Sequence, residues 1–489
     1  MQKYFISLLF IFIFSGCAVG PDYVRPAVDT PTHYKETPKG WKKAEPRDRI
    51  SRGEWWKIFN DHELNSLENQ LNAANQSIAV AAAQYTQARA LVDEARAAYF
   101  PILSTSATLI RQRQVNGSTS FVSTSAGGTS SAGSAATGNT GSFSNVFTNH
   151  VLIFDASWEP DLWGSVRRSV EAGTAGAQAS AAQLASVRLL SQATLAQDYF
   201  QIRALDRDQK ILDDTVYEYQ QALQLTQHRY ASGVAARSDV IQAQTQLDTA
   251  RAQAINNKIN RAQFEHAAAV LIGEPASTFS ILPKPLTAKP PRIPVGVPSE
   301  LLERRPDVAQ AERTAAQANA QIGVAIAAYF PSLTLNATGS VQNRGYSNWF
   351  SIPGLSWTLG PQLAETIFDG GLRRATTAAA RANYAAMAAS YRQTVLTAFQ
   401  DVEDNLASVR ILAQQSIAQE NAARHARYAL KLMLNQYKAG TVAYSDVITA
   451  QTTAFTAEKN AADVMGQRMT ATVGLIKALG GCWEAESSL

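Results

Sequence analysis

Residues 230–241 read YASGVAARSDVI, and residues 437–448 read YKAGTVAYSDVI. Both stretches carry Tyr-x-x-Gly followed at the same spacing by Ser-Asp-Val-Ile. A second repeated motif, Ala-Ala-Tyr-Phe-Pro, stands at 97–101 and again at 327–331. The chain therefore consists of two direct copies in tandem, and a repeat of this kind decides the fold before any single element does.

Each copy opens with a heptad repeat, which predicts a coiled-coil helix. In the first copy the apolar heptad positions are Leu64, Leu71, Ile78, Tyr85, Val92 and Tyr99. In the second copy they are Val308, Ala315, Ile322 and Tyr329. Much longer helices, each roughly 100 Å in length, are predicted over about 166–230 and 372–437. After each turn glycine a helix returns, over about 238–271 and 445–479.

Strand-like sequence lies between the first two helices of each copy. Apolar residues alternate with polar ones over 152–158, 333–341 and 355–359, whereas 102–110 alternates poorly. This pattern is typical of a transmembrane β-strand, and a soluble antiparallel sheet is the alternative. Four strands per chain cannot close a membrane barrel, which needs about eight, so at least two chains must share one. The Ser/Gly/Thr-rich tract 113–142 and the shorter segment 343–354 are predicted to be extracellular loops.

The N-terminus carries a targeting segment. Residues 1–16, MQKYFISLLFIFIFSG, place one lysine before an apolar run. Two small residues then stand directly before Cys17, which resembles a bacterial lipobox. We predict that 1–16 is a lipoprotein signal peptide and that Cys17 carries the lipid; an ordinary signal peptide with an incidental cysteine is the alternative. Ala18 resembles the sorting pattern of outer-membrane lipoproteins.

The composition excludes several classes of protein. Only 17% of residues are charged and the formal net charge is +4, which argues against a nucleic-acid partner. Two cysteines and six scattered histidines exclude a disulfide scaffold and a Cys/His zinc framework. After residue 16 no stretch approaches the roughly 20 apolar residues of a membrane helix. Because nucleophile-elbow, P-loop, paired-histidine and dinucleotide motifs are missing from the sequence, we predict no enzyme activity and no cofactor besides the covalent lipid on Cys17.

Together these features resemble the TolC-like outer-membrane efflux channel family, in its lipoprotein branch. The resemblance covers 17–480 and is carried by Cys17, Gly20-Pro21-Asp22-Tyr23, Trp55-Trp56, Arg304-Arg305-Pro306-Asp307-Val308 and the two Tyr-x-x-Gly turns. It implies an α+β membrane protein of two direct repeats, each with two transmembrane β-strands and long coiled-coil helices. Three chains would form a twelve-stranded β-barrel continued by a periplasmic α-helical barrel.

The resemblance also implies a function, that of the outer-membrane channel of a tripartite efflux system. Such a channel passively conducts substrates that come from an inner-membrane RND-type pump through a periplasmic adaptor (a membrane fusion protein). The homotrimer would be lipid-anchored in the outer membrane of a Gram-negative bacterium, extend into the periplasm and bind no nucleic acid. A periplasmic adaptor and a protein-secretion conduit of the outer membrane are the alternatives.

The two copies also set the division into domains. The expected segments are the signal peptide 1–16, a lipid-anchored extended segment 17–60, a first efflux repeat 61–297, a second efflux repeat 298–480 and a tail 481–489.

In the related family the helix turns form a gate at the periplasmic end, where acidic rings line a constriction and a tyrosine of one turn hydrogen-bonds an aspartate of the other. The matching gate residues here are Asp446 for the ring, Tyr437 with Asp239 and Ser238 for the link, and Gly233 and Gly440 in the turns. Val442 and Thr449 depart from the usual basic residue and second acidic ring. The alternative is that both aspartates only stabilise the first turn of a helix.

Overall fold

The computed structural model describes residues 18–31, 33–36, 54–115, 144–291, 293, 304–343 and 354–481. A 3-10 helix at Trp55–Phe59 precedes α1 (His62–Ala74), α2 (Gln76–Ala97), β1 (Ile102–Val115), β2 (Ser144–Trp158), α3 (Ser165–Ala231), α4 (Arg237–Leu271), α5 (Pro306–Ala327), β3 (Ser332–Asn343), β4 (Leu355–Ala364), α6 (Leu372–Ala439) and α7 (Tyr444–Ala478). Each copy thus runs from helix through two strands to a long helix and a returning helix. The two long helices, α3 with 67 residues and α6 with 68, are confirmed.

The described chain forms two compact units. The strand unit contains residues 18–21, Asp93–Val170 and Gln321–Ala379, and the helical unit contains most of the helices, within Asp22–Val92, Glu171–Ala320 and Ala380–Leu489. None of the helices in the described ranges has the combination of length and hydrophobicity that a membrane span requires.

The strand unit holds one antiparallel sheet in the order β1-β2-β3-β4. Ala156 pairs with Ala337 across β2 and β3, and Thr338 pairs with Thr358 across β3 and β4. The poorly alternating stretch 102–110 proves to be part of a 14-residue strand, β1, which pairs with β2 along its whole length. The predicted loops connect β1 to β2 and β3 to β4. Residues 113–115 belong to β1, and residues 116–142 and 344–353 lie outside the described residues.

Two aspartates fix the starts of the long helices at the edge of this sheet. Asp161 accepts hydrogen bonds from the backbone N–H groups of Val166 and Arg167, at 3.0 and 2.8 Å. Asp369 does the same before α6, accepting from the backbone N–H groups of Gly371 and Arg373 at 2.9 and 3.1 Å, and it also accepts from the Arg373 Nε at 2.7 Å. These contacts satisfy donors that would otherwise be unpaired in the first helical turn.

The first heptad helix differs from the prediction, because it is broken in two at Asn75. This residue has an extended backbone, with ψ at 122°. Its amide nitrogen donates to the Leu271 carbonyl oxygen at 2.7 Å, and its amide oxygen accepts from the Ile78 N–H at 2.9 Å, which caps α2. A contact with the end of α4 therefore ends α1, although the heptad pattern passes through the break unchanged.

The core of the helical unit gathers the apolar residues of both copies. Its largest fully buried side chains include Trp56, Leu64, Leu71, Tyr199, Phe200, Tyr391 and Met469. Beside it the buried Arg203 lies over the Tyr199 ring, pairs with Asp206 at 3.3 Å and donates to the Leu282 carbonyl oxygen. This arginine thereby fixes the segment after α4 to α3.

Candidate functional site

Four helix ends meet in one small apolar cluster of the helical unit. The C-terminal ends of α3 and α6 and the N-terminal ends of α4 and α7 contribute its buried residues, which are Tyr219, Leu223, Ala243, Leu247, Ala250, Tyr437, Tyr444 and Val447. We call this set the turn cluster. It brings together the two Tyr-x-x-Gly turns that lie far apart in the sequence, as the gate hypothesis requires.

The two turns have the same hydrogen-bond pattern. In the first, the Gly233 N–H donates to the Tyr230 carbonyl oxygen at 2.9 Å, and the Val234 N–H donates to that of Arg229 at 2.8 Å. In the second, the Gly440 N–H donates to the carbonyl oxygen of Tyr437, three residues earlier, and the Thr441 N–H donates to that of Gln436, five residues earlier, both at 3.0 Å. This pair of backbone hydrogen bonds defines the Schellman motif, whose glycine takes a left-handed backbone conformation. Gly233 and Gly440 have φ values of 75° and 77°.

The acidic residues of the gate hypothesis lie in the first turns of α4 and α7. Asp446 is exposed, and its Oδ2 accepts from the backbone N–H of Ala443 at 3.3 Å. Asp239 is half-buried, and the Ser238 hydroxyl donates to its Oδ1 at 3.4 Å. Asp446 therefore stabilises the start of α7, and its exposed carboxylate also leaves it free to line a constriction.

Tyr437 occupies a different environment from the one that the resemblance implies. Its side chain is only 3% exposed, and its ring lies 5.4 Å from that of Tyr444. Its hydroxyl has no hydrogen-bond partner among the residues that the structure describes, so the expected bond between Tyr437 and Asp239 is not formed within the chain. Within one chain the ring is instead buried in the turn cluster, and the Tyr437–Asp239 link stays a prediction.

Arg229, which sequence reasoning missed, contacts Tyr437 instead. Its guanidinium Cζ lies 4.5 Å from the centre of the Tyr437 ring, and Nη1 donates to the Tyr437 carbonyl oxygen. The available signal was a difference between the copies, since arginine precedes the motif tyrosine in the first and Gln436 precedes it in the second. A basic side chain thus reaches this turn from α3, although the usual basic position is Val442.

Two further side chains at these helix starts, Tyr444 and Thr449, are uncharged at pH 7. Burial, and then the neighbouring Tyr437 phenol, raises the pKa of Tyr444 to about 12. Thr449 is exposed, and its hydroxyl donates to the Ser445 carbonyl oxygen at 2.9 Å. Across the described ranges, His, Cys, Asp and Glu side chains form no group suited to a metal ion. Cys17, the predicted lipid site, lies outside the described residues.

Comparison with known proteins agrees with this architecture. The profile of the family described as outer membrane efflux protein matches residues 67–274 and 297–481. The chain is 31% identical over 438 residues to the pyoverdine export outer membrane protein OpmQ of Pseudomonas aeruginosa, covering 88% of each. It is 26% identical to the cation efflux system protein CusC of Escherichia coli, covering 96% of each. The solved outer-membrane channel OprN superimposes with a TM-score of 0.83 at 27% identity, over 95% of this chain and 99% of that one.

The fold and the paired turns define a class of outer-membrane channels with long helices. The chain belongs to the outer membrane efflux protein family. It is thus an efflux protein of the outer membrane, in a family of transport channels and not of enzymes or periplasmic adaptors.

Proposed function

We propose that three copies of this chain form the outer-membrane channel of a tripartite efflux system. The observation that carries the proposal is a sheet with four strands in the described ranges, whose outer strands β1 and β4 each have one neighbouring strand there. Exposed apolar side chains on the strands, such as Leu103 at 76% and Trp357 at 75%, suit contact with lipid. Three such sheets would close a twelve-stranded β-barrel, and the helices would continue it as a periplasmic α-helical barrel.

The partners follow from this role. An inner-membrane RND-type pump delivers the substrate through a periplasmic adaptor, and a lipid on Cys17 anchors the channel to the outer membrane. The named relatives export different substances, pyoverdine for OpmQ and cations for CusC. A passive tube of this kind accepts what its pump delivers, and the substrate is therefore selected at the pump.

In this proposal the turn cluster is the periplasmic gate. The three Asp446 carboxylates of a trimer would face one narrow passage, where negative charge concentrates cations. Opening by the adaptor and the pump would move the turns apart.

Single-channel recording in planar lipid bilayers tests the gate with a charge-specific variant. Asp446→Asn removes the charge, while its amide oxygen can still accept the hydrogen bond from Ala443. We expect it to lower the cation selectivity, measured as the reversal potential in a salt gradient, whereas Asp446→Glu keeps the parental value. If Asp446→Asn has the parental reversal potential, the constriction lies elsewhere and Asp446 only caps α7.

A further inference from the structure

We propose that Arg229 is a positioning residue that holds the two turns together and keeps the gate narrow, an inference that rests on the channel function proposed above. The backbone of Arg229 is itself fixed, because its carbonyl oxygen accepts from Val234 at 2.8 Å and from Ala235 at 3.2 Å. Its side chain therefore projects from the rigid end of α3 toward the turn between α6 and α7.

The side chain contacts the second turn at three places. Nη1 donates to the Tyr437 carbonyl oxygen, which also accepts the Gly440 N–H at 3.0 Å. The guanidinium covers the Tyr437 ring at 4.5 Å, within the range of a cation–π contact. A Cβ at Gly440 would lie 3.7 Å from Nη2, so the guanidinium packs directly beside the turn glycine. One side chain of the first copy thus binds the backbone, the ring and the glycine of the second.

A comparison of the two equivalent tyrosines supports this role. Tyr230 and Tyr437 occupy the same position in the two motifs, yet Tyr230 is 47% exposed and Tyr437 is 3% exposed. The arginine before the first motif covers the second tyrosine, and Gln436 before the second motif has no such contact in the described structure. Beside the apolar packing of the turn cluster, the arginine contact thus runs in one direction, from the first turn to the second, and its release would loosen the turn leading to Asp446.

The contact is also suited to release. Among the described residues no carboxylate forms a salt bridge with Arg229, and the buried Nε has no hydrogen-bond partner there. The guanidinium is held by a neutral carbonyl oxygen and an aromatic face, so its release from Tyr437 breaks no ion pair of Arg229 in the described structure. It also lets water reach a donor that is unpaired in the closed arrangement.

Single-channel recording of Arg229→Ala and Arg229→Gln trimers tests the proposal. Loss of a hydrogen bond from a charged donor should raise the ratio of open to closed dwell times roughly tenfold. Tyr437→Phe keeps both the ring and the carbonyl oxygen and should gate like the parent. Tyr437→Ala removes the ring that the guanidinium covers but keeps the backbone carbonyl oxygen, so it should also open the channel. The double variant should open it by less than the sum of the two single effects, because both changes remove the cation–π contact.

Arg251→Ala is the matched control, since Arg251 pairs only with Asp248 of its own helix in the described structure. It should gate like the parent. Parental gating of Arg229→Ala in trimers of parental thermal stability, beside an opened Tyr437→Ala, would overturn the proposal. If the parental protein itself forms no ion-conducting pore, the channel function fails, and that outcome is distinct from failure of the Arg229 role.

Discussion

Glu68 is a buried residue whose surroundings disfavour the charged form of its carboxyl group. Its side chain on α1 is 0% exposed, and neither carboxylate oxygen has a hydrogen-bond partner in the described part of the chain. Burial raises its pKa to about 9. The folded chain therefore keeps Glu68 protonated at pH 7. The unfolded chain loses this proton near the usual pKa of glutamate, about 4.3.

This difference predicts how stability depends on pH. Between about pH 4 and pH 9 the folded state binds more protons at this site than the unfolded state, so stability falls as pH rises. Glu68→Gln removes the ionisable group. We expect it to stabilise the protein at pH 8 by several kcal/mol per chain, on the order of 1.4 kcal/mol for each pH unit above the unfolded pKa, while changing little at pH 4. Thermal unfolding at both pH values measures this.

The control for Glu68→Gln is Glu94→Gln, at an exposed position of α2. It should unfold like the parent at both pH values. Equal stabilisation by Glu68→Gln at pH 4 and pH 8 would show that the gain comes from the amide and not from the proton.

At the scale of single elements, the sequence predicts what is set locally. The turn glycines mark the ends of α3 and α6, and the heptads mark the buried faces, so these helices lie where expected. The break at Asn75 could not be predicted, because it depends on a hydrogen bond to Leu271, which is distant in sequence.

The candidate site likewise has a part that the sequence predicts and a part that it does not. Both turns and Asp446 are predicted from their motif. The contact of Arg229 with Tyr437 joins the two copies, and the difference between Arg229 and Gln436 in the sequence does not indicate which residue the arginine contacts.

The turn glycines give a prediction about the helix ends. A Cβ at Gly233 would meet nothing within 4 Å, so its substitution tests backbone strain alone. A left-handed backbone costs an L-residue about 1–2 kcal/mol, and less for Asn. We expect Gly233→Ala to speed hydrogen exchange of the last-turn amides of α3 about tenfold, and Gly233→Asn to speed it less. Equal rates in all three proteins would mean that the turn gives α3 no stability.

At the scale of the whole molecule, the edges of the sheet are the basis of the assembly that we propose. The backbone groups on the outer sides of β1 and β4 have no strand neighbour in the described chain. In lipid each such group costs several kcal/mol, and a closed barrel removes that cost for every chain at once. Two chains would supply eight strands and three would supply twelve. Edge pairing alone allows either number of chains, and the resemblance to the TolC-like channel family favours three.

We therefore predict that the protein extracted from outer membranes in mild detergent is a trimer. Native mass spectrometry should show complexes of three chains, because only edge-to-edge closure pairs β1 and β4. Each released chain should begin at Cys17 and be heavier than its sequence by the mass of the acyl groups.

Proline in place of Leu359, in the edge strand β4, should reduce the trimer fraction, since it removes a backbone donor from the sheet. The matched control is proline at Ile367, which follows β4 and is 96% exposed, and it should leave the trimer intact. A dimer would place eight strands in the barrel, and a stable monomer would mean that the edges are covered within one chain.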